Sequence, residues 1–105
     1  MIKVKNMINR NYNTVPNQFI LTDTETGIEY FQSYAATIVK VVPNDATYLD
    51  EYYWDYSVTT GRYRNQYLGD SGVAETRKKI ADGTYILTDL NNGESYEWTR
   101  LGWTT

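Results

Sequence analysis

The chain has 105 residues, 41% of them apolar and 22% charged, with a formal net charge of -3, which is the make-up of one soluble domain of ordinary size. It contains neither Cys nor His, so disulfide stapling and thiol chemistry are excluded, and the commonest metal ligand and the usual general base near neutral pH are missing. No segment approaches the roughly 20 apolar residues of a membrane helix, so the expected setting is cytoplasmic, without a membrane partner.

In chain order, Ile2, Val4 and Met7 mark a short first strand with Lys3 and Lys5 on its wet side. Residues 9–18, NRNYNTVPNQ, are rich in turn formers and read as a loop or mobile arm, with Pro16 biasing Val15 toward extended backbone. Then comes an internal similarity. FILTDTETGIEY at 19–30 and YILTDLNNGESY at 85–96 match at six of twelve positions, and each reads as a hairpin in which Gly27 or Gly93 allows the reversal. Asp23 and Asp89 occupy matching places after Thr, where an Asx turn is the structural expectation.

Residues 30–42, YFQSYAATIVKVV, supply strand formers up to a turn at PND, 43–45, and TYLDEYYWDY at 47–56 is a further extended candidate. The pattern then turns helical. Thr59 or Thr60 can cap a helix over about 60–68 that ends at Gly69. Asp70 or Ser71 can cap a second helix over about 72–81, on which Val73, Arg77 and Ile80 share helical spacing. A last strand is expected within 95–103. The expectation is thus a single α+β domain over residues 1–105: an antiparallel β-sheet with a short inserted helical hairpin packed on one face.

Two surfaces are candidates for binding. Tyr48, Tyr52, Tyr53, Trp54 and Tyr56, rimmed by Asp50, Glu51 and Asp55, combine rigid aromatic area with negative charge and suit a basic protein partner, although large aromatics are also what a core of this size needs. Thr59, Thr60, Arg62, Arg64, Arg77, Lys78 and Lys79 form a hydroxyl-rich and basic set on the helical hairpin that suits phosphate, hence nucleic acid. Arg62 and Arg64 lie two residues apart and point in different directions on a helix, so they are no preformed clamp.

No phosphate loop, dinucleotide fingerprint, calcium loop or nucleophile elbow is present in the sequence. The expectation is no catalytic residue, no metal and no cofactor. Exposed aromatics or a free strand edge would support a dimer, and covered ones a monomer.

Through YFQSY, WDYSVTTGRYRNQYLG and ETRKKIADGTYILTDLN, residues 30–91 resemble small uncharacterised proteins encoded by bacterial phages and related mobile elements. The resemblance implies an accessory protein that binds a host or defence protein, with a small nucleic-acid-binding regulator as the alternative. It implies no catalytic or binding residue.

Overall fold

The computed structural model describes residues 1–91. The second half of the 85–96 repeat, Gly93 and the strand expected at 95–103 lie outside the described residues. Among the described residues six strands form one sheet whose spatial order follows the chain: β1 (Ile2–Ile8), β2 (Thr14–Asp23), β3 (Glu29–Ser33), β4 (Ala36–Val41), β5 (Thr47–Asp50) and β6 (Tyr85–Thr88). Two helices, α1 (Val58–Leu68) and α2 (Val73–Ala81), lie in sequence between β5 and β6.

The first five strands pair antiparallel, but β5 and β6 run parallel. The expected all-antiparallel sheet is therefore corrected to a mixed one. The insertion is what allows it: parallel neighbours need a crossover of a dozen or more residues, and the stretch between Asp50 and Tyr85 that carries both helices supplies one.

Local chemistry accounts for the hairpins. The β2–β3 turn is the one read from the sequence: the Asp23 side chain accepts the Glu25 amide at 3.0 Å and Gly27 takes φ +77°. Asp89 likewise accepts the Asn91 amide at 3.0 Å, so the two repeats share the Asx turn. Between Phe31 and Val39 the extended stretch expected over 30–42 is instead a tight hairpin. Tyr34 at its first central position has φ +56°, as a type II′ turn requires and as few non-glycine residues adopt.

A bulge leaves Ile38 without a cross-strand partner, since Phe31 pairs with Val39 and Gln32 with Thr37. Thr37, Ile38 and Val39 are consequently all buried, which is why this stretch shows an apolar run without alternation. The loop expected over 9–18 is shorter than that: the turn covers 9–13, and β2 already begins at Thr14, burying Val15 and Gln18.

Met7, Phe31, Ile38, Val39, Leu49 and Tyr85 form the central apolar cluster, with Tyr53, Trp54, Tyr63, Tyr67, Leu68 and Ile80 packed against it. Helix α1 runs along β3. The Tyr67 ring stacks on Phe31 with centroids 5.6 Å apart, its hydroxyl donates to Glu29 at 2.6 Å, and one end of the helix is tied by Thr60 to Ser33 at 2.7 Å. Burial first, and Glu29 second, push the Tyr67 hydroxyl well above the usual tyrosine range.

Helix α1 is capped by Ser57, two residues ahead of the expected Thr59, with its hydroxyl accepting the Thr60 amide at 3.1 Å. It stops at Gly69 in the left-handed region, as the sequence implies. Helix α2 touches both β6 and α1. It has no side-chain cap at its start, at Gly72. Ser71 instead donates through both its amide and its hydroxyl to Glu75, at 2.8 and 2.9 Å, and Asp70, expected as a cap, is turned inward.

Candidate functional site, an aromatic loop on a buried carboxylate

The extended segment expected over 47–56 ends at Asp50, and the cause is the Asp50 side chain. Its carboxylate is buried and accepts the amides of Tyr52 at 3.1 Å and Tyr53 at 2.7 Å with one oxygen, and that of Leu90 at 2.8 Å with the other. The Asp50 carbonyl accepts the Trp54 amide at 3.0 Å. A carboxylate placed to collect successive amides bends the backbone into a turn and halts the strand. Asp50, expected on an acidic rim, is thus the anchor of the loop and offers a partner nothing.

The turn gathers three tyrosines. Tyr53 is half-buried against the core, and it meets Tyr52 edge to face at 4.7 Å and Tyr56 edge to face at 5.2 Å, the geometry that ring quadrupoles favour. Tyr52 is 76% exposed and Tyr56 44% exposed. Beside them a cavity of about 340 Å³ is lined by Asp50, Glu51, Tyr52, Tyr53, Asp89 and Asn91. Its far wall is fixed to β4, because Asn91 exchanges two hydrogen bonds with the Thr37 backbone, at 2.9 and 3.0 Å.

The remaining members of the aromatic set turn elsewhere. Tyr48 sits within β5, half-buried between Lys40 and Ile86 of the neighbouring strands. Trp54 packs against the core under the Arg64 guanidinium, 5.2 Å from its ring. Asp55 is bound by Arg64 at 3.2 Å and Arg77 at 3.5 Å. Of the residues expected at this protein surface, Glu51, Tyr52 and Tyr56 are exposed at the loop with Tyr53 supporting the two tyrosines, while Asp55, also exposed, is engaged by the two arginines.

The basic set is dispersed. Arg64 is fully buried, donating to the Trp54 carbonyl, to Asp55 and to Asn65. Thr60 is buried against Ser33. Lys79 is held by Asp70 at 2.7 Å and Glu75 at 3.3 Å, and these hydrogen bonds, Asp70's above all, hold its ammonium well above the usual lysine range. Thr59, Arg62, Arg77 and Lys78 stay exposed, with Arg77 tethered to Asp55. Of the seven residues expected to contact nucleic acid, Arg64 and Thr60 are therefore taken into the interior and Lys79 into ion pairs.

Sequence reasoning missed the buried centre around Asp70. Its carboxylate receives the Tyr85 hydroxyl at 3.0 Å, the Thr76 hydroxyl at 2.8 Å and Lys79. Burial, then Asp70, raises the Tyr85 hydroxyl above its ordinary range. An acid directly after a helix-ending glycine carries the signature of a cap, and nothing in its neighbours signals burial.

Residues 2–83 match a family of unknown function, DUF8033. The chain belongs to that family. No curated protein and no solved structure matches it. Among the described residues no helix is long and apolar enough to cross a membrane, and no group of acids is arranged to hold a metal ion.

Proposed function

We propose that this DUF8033 chain is a non-enzymatic binding module that presents the Glu51–Tyr56 loop to a protein partner carrying a basic side chain. One observation carries the reading: Tyr52 is 76% exposed, yet its amide is held by the buried Asp50 and its ring by Tyr53. A large aromatic already fixed in place loses little conformational entropy on binding, and tyrosine is among the residues that dominate interface energies. Glu51 at the same tip, beside the cavity that Asp89 also lines, favours a lysine or arginine and speeds encounter. Tyrosine faces add cation–π attraction for the same group.

In this reading α1 and α2 act as a hairpin backing one face of the sheet, which keeps the loop rigid. The phage resemblance makes the partner a host or defence protein met in the cytoplasm. The burial of Arg64 and the pairing of Lys79 weigh against the basic hairpin as a nucleic-acid surface.

The test is parallel capture from host lysate with the wild type and with Tyr52→Ala and Glu51→Lys. Both side chains are exposed, so Glu51→Lys should change stability by less than about 0.5 kcal/mol and Tyr52→Ala by about 1 kcal/mol, the worth of its edge-to-face contact with Tyr53. A partner held by the wild type and weakened at least about tenfold by either change supports the loop. Equal retention by all three proteins overturns it.

A further inference from the structure

A second cavity lies on a different part of the molecule, between the β1–β2 turn and α1, lined by Asn9, Arg10, Asn11, Arg62, Tyr63 and Gln66. We propose that it binds the phosphate backbone of single-stranded nucleic acid, with Arg10 and Arg62 as the phosphate ligands.

Charge is the first argument. The protein as a whole is acidic, at -3, yet among the described residues no carboxylate lines this cavity and two arginines do. Both are exposed, and neither has an ion pair among the described residues, whereas Arg64 and Arg77 both hold Asp55. Two guanidinium groups left without carboxylates in one concavity attract an anion, and their fork of N–H donors matches phosphate oxygens.

Construction is the second. The two walls are tied together, since the Gln66 amide donates to the Ile8 carbonyl at 2.8 Å. The turn is held from within: the Asn9 side-chain oxygen accepts the amides of Asn11 at 2.9 Å and Asn13 at 3.0 Å, and its carbonyl accepts the Tyr12 amide at 3.0 Å. Arg10 therefore sits on a shaped turn facing a helix. The cavity volume of about 490 Å³ is in the range of sites that hold one nucleotide-sized group.

The third argument separates a nucleic-acid strand from free phosphate. Tyr12, in the same turn, is 89% exposed with φ +61°, and Tyr63 lines the wall. Aromatic faces beside a cationic groove are how single strands are held without sequence readout, by stacking of unpaired bases. A duplex keeps its bases stacked internally and gains nothing from Tyr12.

The experiment is fluorescence anisotropy of a labelled oligothymidylate of about eight nucleotides, titrated with the full chain at several salt concentrations. The expected slope of log affinity against log salt is about -1.4, from two phosphate contacts at about -0.7 each. Arg10→Ala or Arg62→Ala should each lower its magnitude by about 0.7, and Tyr12→Ala should weaken binding about tenfold while leaving the slope unchanged. These side chains are exposed, so far-ultraviolet circular dichroism should be unaltered and separates lost binding from lost folding. Absence of binding at low salt, an unchanged slope in both arginine variants, equal affinity for a duplex, or displacement of the strand by inorganic phosphate at concentrations comparable to the strand's own would each overturn the proposal. The tyrosine loop proposed above is untouched by these variants, so the two readings fail separately.

Discussion

Asp50 and Asp70 are both buried carboxylates beside β6, and they are satisfied in opposite ways. Asp50 is surrounded by backbone amides, those of Tyr52, Tyr53 and Leu90. Asp70 is surrounded by side chains, those of Thr76, Lys79 and Tyr85. The difference separates two jobs. A carboxylate bonded to amides dictates the path of the chain, here the turn that displays Tyr52. One bonded to side chains joins elements whose paths are already set, here the α1–α2 connection, α2 and β6.

The largest expected effect breaks the first of these. Asp50→Ala leaves three amides without their acceptor, that of Leu90 fully buried and those of Tyr52 and Tyr53 partly so, and should cost about 3 kcal/mol, a large share of the roughly 5–15 kcal/mol available to a domain. Urea denaturation measures the loss. Hydrogen exchange should show the Tyr52, Tyr53 and Leu90 amides opening well before the rest of the sheet. Uniform exchange across the sheet, with the loop still protected, would mean that Asp50 does not set the turn.

Asp70→Asn is the milder counterpart, at about 2 kcal/mol by the same denaturation measurement. Asparagine keeps an acceptor for the hydroxyls of Tyr85 and Thr76, and Lys79, about one-third exposed, can turn toward Glu75 and water. The amides of the 50–54 turn should keep their protection in this variant. If the aromatic loop loosens equally in both variants, the two carboxylates belong to one cooperative unit.

The same contrast explains what was legible in the sequence. Local grammar was readable: the Asx turn at Asp23, the Gly69 stop and both helices follow from neighbours a few residues away. The choice between adjacent or near-adjacent like residues was not. Asp50 is buried and Glu51 exposed; Arg64 is buried and Arg62 exposed. Each pair is divided by contacts reaching far along the chain, such as Leu90 for Asp50 and Trp54 for Arg64. Parallel pairing of β5 with β6 was hidden for a similar reason, since it depends on where a crossover of two helices returns. Aromatic surplus announced a core and a surface together, and only the Asp50 turn separates Tyr52 from Trp54.

Alkaline pH offers the finest discrimination, because amides do not titrate there while lysine and tyrosine do. Folding raises Lys79 through Asp70 and Glu75, and raises Tyr85 through burial and Asp70. For both groups the folded state holds its proton more tightly than the unfolded chain. Their contribution is therefore complete below the unfolded values, about 10 for tyrosine and 10.4 for lysine, and declines as pH rises beyond them. Tyr67 acts with the same sign from beside Glu29, so the measurement belongs in a Tyr67→Phe background. There, stability should be flat up to about pH 9 and fall above about pH 10. Adding Asp70→Asn should flatten that fall, and adding Asp50→Asn should lower the whole curve without changing its alkaline slope. Equal slopes with and without Asp70 would show that its side-chain partners are not linked to folding through their protons, and the distinction between the two aspartates would then be one of geometry alone.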